Sequence, residues 1–185
     1  MIDIFWIIVM FLLMCCQLLG RKLLPKFTIS QNIPDLGHKY IINIDSKLSY
    51  LSDIICMILL MTVMCTLDKS KKVMYVKCFI VVFILRLISM NLTILPRSKE
   101  FKCDDSSAVV TLNVQCGNDY IFSGHTAITV LCLLMLYTMY PNYVYFYVII
   151  YALQVFLLLG MRHHYSIDIF IGTLLSYFVF DKFQK

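Results

Sequence analysis

CGNDYIFSGHTAITVLCLLMLYTMY, residues 116–140, passes from a polar loop through Ser-Gly-His into a continuous apolar run. Such a run is close to the roughly 20 residues that span a bilayer as a helix, and it lacks the period-2 alternation of a barrel strand. The rest of the chain repeats the pattern. Its 185 residues are 61% hydrophobic and 15% charged, with a mean hydropathy of +0.82. These values exclude an ordinary water-soluble domain. Apolar segments fall at 2–19, 50–67, 73–95, 122–140, 143–161 and 165–181, each bounded by charge, Pro or Gly. The expected fold is an all-α membrane protein, a six-transmembrane-helix bundle forming one domain over residues 1–185. The first segment lacks a basic start and a small-residue cleavage site, so it reads as a retained helix.

Six helices place both termini on one side and bring loops 20–49, 96–121 and 162–165 together on the other. Five Lys and Arg lie on the side of the termini and nine on the side of those loops. By the positive-inside rule alone, the polar loops would face the cytosol. The net charge of +5 is dispersed through loops, which suits lipid headgroups and gives no basic, aromatic-interleaved stripe for nucleic acid. Six of the eight cysteines lie within apolar runs, where a thiol behaves as a small hydrophobe. Cys103 and Cys116 share one polar loop and are candidates for a disulfide if it faces an oxidising compartment.

Chemistry concentrates in two stretches. At the mouth of the 122–140 helix, Ser123 and Gly124 precede His125. Helix N-terminal amides attract anions, and glycine admits an oxyanion close to the main chain, so a phosphate fits there. In RHHYSID, residues 162–168, His164 and Asp168 are four apart, so the carboxylate can orient the imidazole if the last helix begins early enough. Loop alternation brings both stretches to one membrane face, where the two histidines could flank a single phosphorus. The plainer alternative is that each is an interfacial histidine, and a zinc site of His125, His163, His164 and Asp168 is a further one. Arg86 lies well inside an apolar segment, with Ser89 and Thr93 on its helical face. It is either a structural cation or a phosphate ligand. QNIPDLGH, residues 31–38, reads only as a turn.

These residues resemble a known family. CGNDYIFSGHT is similar to the Cys-Gly-Asp-Tyr/Phe-x-x-Ser-Gly-His-Thr signature of the sphingomyelin synthases, within the type 2 phosphatidic acid phosphatase superfamily. RHHYSID resembles that family's His-Tyr-Thr/Ser-x-Asp signature. IPDLG resembles its Leu-Pro-Asp motif, and LRLISMNLTILP, residues 85–96, its Arg-x-x-x-Thr-Met-x-x-Thr-x-Leu-Pro segment. Asn118 stands between Gly117 and Asp119, where the signature has no residue. The phosphatase branch's Lys-x6-Arg-Pro motif is missing, and Leu158 occupies the position of its arginine six residues before the nucleophile.

The resemblance implies an active site on the lumenal or exoplasmic face of an endomembrane (Golgi or ER) or the plasma membrane, the reverse of the charge count. It implies a catalytic triad of His125, His164 and Asp168, with no metal or diffusible cofactor. Ser123, Gly124, Arg86, Arg162 and Asp119 would contact substrate. The partners implied are a phospholipid donor and a ceramide-like acceptor in the bilayer. A lipid phosphate phosphatase and a non-catalytic lipid-binding scaffold are the competing readings.

Overall fold

The computed structural model describes residues 33–96 and 119–185, together with Ile8, Leu12 and Cys15; for Ile94, Asp119 and Tyr120 the description is of the backbone alone. A short helix α1 (Leu36–Tyr40) and a 3-10 turn (Ser46–Ser49) lead into α2 (Tyr50–Thr66) and α3 (Lys69–Leu92). Then follow α4 (Gly124–Met139), α5 (Val144–Gly160) and α6 (Ser166–Gln184). Strands β1 (Ile94–Leu95) and β2 (Asp119–Tyr120) pair antiparallel, Ile94 opposite Tyr120 and Leu95 opposite Asp119.

Three spans are long and apolar enough to cross a bilayer: Ser46–Thr66, Lys69–Leu92 and Pro141–Gly160. The apolar helix Gly124–Met139 is shorter, about 24 Å at 1.5 Å per residue. α6 has the length but carries Asp168, Asp181 and Lys182. Five of the six expected segments are therefore helical. The first, 2–19, lies outside the described residues except at Ile8, Leu12 and Cys15, which are helical. α3 begins four residues before the expected boundary because Asp68 caps it, its carboxylate accepting the Lys71 N–H at 3.0 Å. Lys69, Lys71 and Lys72 thus open a helix and do not form a loop.

Helix α4 is the hub, packed against α2, α3, α5 and α6. Its Ala127, Leu131, Cys132 and Met135 are buried with Val63 of α2 and Phe79, Val82 and Phe83 of α3. Outward faces carry exposed Ile58, Met61, Phe146, Ile149 and Phe178. In lipid that exposure carries no penalty, so what marks the interior is polarity. Ser52, Thr129, Gln154 and Ser176 are all buried. The antiparallel order gathers the start of α2, the end of α3, the start of α4, the end of α5 and the start of α6 at one end of the bundle. Contacts between Asp53 and His125, Arg86 and Phe122, Ser123 and Asp168, and Ile44 and Gly160 tie that end together.

Candidate active site

The mouth of α4 is built as its sequence suggests. Ser123 is the N-cap, fully buried, and its hydroxyl accepts the Thr126 N–H at 3.2 Å. The helix then starts at Gly124, and the reason for glycine is steric. A Cβ at that position would lie 3.2 Å from both Cζ and Nε of Arg86. Arg86 is 3% exposed and donates from Nε to the Phe122 carbonyl at 2.9 Å. Ser89 donates its hydroxyl to the Arg86 carbonyl at 2.9 Å and also to the Ile121 carbonyl. A guanidinium and the positive end of a helix therefore converge on the residues just before His125. Their common complement is an anion.

His125 meets a partner that the sequence reading missed. Its Nε2 lies 2.7 Å from Oδ1 of Asp53, in the first turn of α2, with side-chain exposures of 23% and 33%. An ionised carboxylate only accepts, so the Nε2 position carries the proton of this bond. The signal that could have exposed Asp53 is the one that exposed Arg86, an ionisable residue within an otherwise apolar span.

His164 and Asp168 come together differently from expectation. α6 starts at Ser166, so His164 precedes the helix and the pair does not share a helical face. His164 Nδ1 lies 3.8 Å from Asp168 Oδ2, ion-pair range and beyond a hydrogen bond. That same Oδ2 accepts the Tyr165 backbone N–H at 2.9 Å. Asp168 is fully buried, and its carbonyl accepts the Ser123 N–H at 3.2 Å. One backbone bond thus joins the two histidine-bearing stretches directly.

The segment read as a mere turn is a latch on this loop. Asp35 caps α1 through the His38 N–H at 3.0 Å, and reaches across to Ser166, accepting its N–H at 2.8 Å and its hydroxyl at 2.9 Å. Ser166 Oγ accepts the Gly37 N–H at 3.0 Å, and His38 Nε2 donates to the His164 carbonyl at 2.9 Å. Only glycine permits this approach, since a Cβ at Gly37 would lie 2.5 Å from Ser166 Oγ. Tyr165 adds a tie from its hydroxyl to the Pro96 carbonyl at 2.9 Å.

Burial opposes ionisation of Asp35, yet the His38 and Ser166 N–H groups and the Ser166 hydroxyl outweigh it and hold its carboxyl below the ordinary value of 3.8. A depressed folded pKa stabilises above the unfolded value, and the contribution is lost as pH falls through the folded pKa. Acidification below that ordinary value should lower the melting temperature through this latch. Asp35→Ala should cost about 1 kcal/mol, as for loss of a helix cap, and remove that part of the acid dependence, as thermal melts across pH 3–7 would register.

Arg162 sits at φ 58° and donates to the carbonyls of Leu159 at 2.9 Å, His38 at 2.9 Å and Ile41 at 3.2 Å. It fastens the latch to the end of α5. The side chain of Asp119, and Cys103 and Cys116, the candidates for a disulfide, lie outside the described residues. Among the described residues no group of three or more His, Cys, Asp or Glu could hold a metal ion, which leaves the zinc alternative without a cluster. An apolar groove of about 460 Å³ between α4, α5 and α6 runs from Val130 and Phe170, near the two motifs, to Tyr137 and Tyr177.

Two histidines, each beside a carboxylate, thus stand at an anion-attracting helix end in an apolar helical bundle. Residues 115–185, a stretch containing His125, His164 and Asp168, match the family model described as PAP2 superfamily C-terminal. The match supports the type 2 phosphatidic acid phosphatase superfamily, whose chemistry is lipid phosphatase or phosphotransferase, and it covers less than half of the chain. No curated protein matches the chain.

Proposed function

We propose that this protein is a phosphotransferase of the sphingomyelin synthase type. It moves a phospho-headgroup, phosphocholine in the first instance, from a glycerophospholipid to ceramide and releases diacylglycerol. Phosphoethanolamine and phosphoinositol are the other headgroups to be compared. The observation that carries the reading is the Ser123–Asp168 backbone bond, which joins a His125–Asp53 pair to a His164–Asp168 pair beside Arg86.

In this mechanism the headgroup phosphate rests against Gly124, the α4 N-terminus and the Arg86 guanidinium. His164, with Nδ1 toward Asp168, attacks phosphorus through Nε2. The bond from phosphorus to the diacylglycerol oxygen breaks, and protonated His125 supplies the leaving oxygen with a proton from Nδ1. Asp53 keeps Nε2 protonated throughout, so Nδ1 is the nitrogen that exchanges. In the second half His125 takes the proton of the acceptor hydroxyl, whose oxygen attacks the phosphohistidine and releases His164. The acyl chains have the α4–α5–α6 groove for a neighbour. Ser123 acts through its cap, and Arg162 and Asp119 are proposed to act near the headgroup, Arg162 by holding the loop that bears His164. We place the site on the lumenal or exoplasmic face of an endomembrane or the plasma membrane, and the fold in one domain over 1–185.

The deciding assay uses proteoliposomes containing choline-labelled phosphatidylcholine and ceramide. Labelled sphingomyelin is expected, with an equal amount of unlabelled diacylglycerol measured by mass. Release of phosphocholine into water, with no labelled sphingolipid, would make the acceptor water and the protein a hydrolase.

A further inference from the structure

Gln154 is an amide in the middle of α5, in a span with a mean hydropathy of 2.0, and is 1% exposed. A buried amide in such a span is costly, and its Oε1 has no hydrogen-bond partner among the described residues. Its Nε2 is engaged. It donates to Ser52 Oγ of α2 at 2.7 Å and lies 3.6 Å from Cys56 Sγ, one helical turn further along the same face. Cys56 in turn contacts α4, with Sγ 3.7 Å from the His125 carbonyl and 3.7 Å from Thr129 Oγ1. Ser52 is 1% exposed, and the next residue in the chain is Asp53.

One side chain from α5 thus meets α2 at Ser52, beside Asp53, and at Cys56, which itself touches α4. Rotation matters because neighbouring residues on a helix are about 100° apart. A modest turn of α2 carries the Asp53 carboxylate away from His125 Nε2. The surrounding apolar contacts resist such a turn weakly, since lipid and protein interior are equally apolar. We infer that Gln154 is a positioning residue: through Ser52 and Cys56 it sets the α2 rotation that holds Asp53 on His125. The inference deepens the proposed mechanism and rests on the His125–Asp53 pair having a role in it.

A purely structural role predicts that removing Gln154 costs folding stability. Positioning predicts the reverse pattern, because Gln154→Leu removes an unsatisfied oxygen from an apolar span while releasing α2. Its melting temperature should equal or exceed that of the parent. Transfer from phosphatidylcholine to a short-chain fluorescent ceramide should fall roughly tenfold in kcat with KM within about twofold. In an Asp53→Asn background the same substitution should change kcat by less than about twofold, because positioning has nothing left to act on. Ser52→Ala, which removes the acceptor and keeps Gln154, should lower kcat in the same direction and serves if Gln154→Leu does not fold.

A readout independent of turnover is the Nε2 proton of His125 in histidine-labelled protein, observed by NMR. It should be strongly deshielded in the parent and move toward the solvent-exchanged imidazole range in Gln154→Leu. Unchanged NMR together with unchanged kcat overturns the positioning role, and so do losses that multiply fully with Asp53→Asn. If the resonance shifts but no variant or parent transfers any headgroup, the positioning stands and the proposed reaction fails.

Discussion

His164→Ala is expected to abolish headgroup transfer, by on the order of 10⁴-fold or more, as when a covalent nucleophile is lost. The variant should still fold. His164 stands in the loop before α6, and the latch holds that loop through the His164 carbonyl and through Ser166, which the substitution leaves in place. His163→Ala supplies the control and should keep activity within about tenfold of the parent. The distinguishing measurement is a rapid quench with phosphate-labelled phosphatidylcholine and no acceptor. An acid-labile label should remain on the parent and be missing from His164→Ala. Label retained by the alanine variant would move the nucleophile to another residue, and a parent that holds no label would sink the double-displacement scheme.

Asp53→Asn is expected to lower kcat by roughly 10²–10⁴-fold, the usual range for general acid–base catalysis, with little change in KM. The carboxylate can only accept, which forces the proton onto Nε2 of His125 and leaves Nδ1 to exchange. An asparagine amide can donate instead, and the ring can then settle in the tautomer with its nitrogens in exchanged roles. Asp53 is part-exposed, at 33% of its side-chain surface, so the effect on stability should be small. Turnover equal to the parent's would show that the 2.7 Å contact has no part in proton transfer.

Much of this site was legible because it obeys local rules. Ser123 before Gly124 is a helix cap followed by a helix start, and the structure has both. Antiparallel spans leave no freedom about which loops meet, so the shared end of His125 and His164 followed from counting apolar runs. The helix mouth is local chemistry, but the partners of its residues are tertiary. Asp53 lies in YLSDIICM with nothing beside it to suggest a histidine 72 positions away. Arg86 was noticed because its charge was conspicuous, while the carbonyl it serves, Phe122, carries no sequence signal. Pro34 and Gly37 announced a turn, and the cross-chain grip of Asp35 on Ser166 was invisible because the two are 131 residues apart. The three backbone carbonyls that Arg162 gathers carry no sequence signal, and that contact follows from its place just past the end of α5.

The latch also bears on how such a protein can be divided or recombined. Both histidines lie in residues 115–185, the part that matches the family model. The groups that contact or brace them in the structure are elsewhere: Asp53 on α2, Arg86 on α3, and Asp35 with His38 ahead of both. On the proposed mechanism the recognisable part of the molecule is thus not a transplantable cassette. A chimera that grafts residues 115–185 onto an unrelated set of membrane helices would inherit the signatures without the reactivity. Two fragments cut between β1 and β2 would regain it only on reassociating in one bilayer.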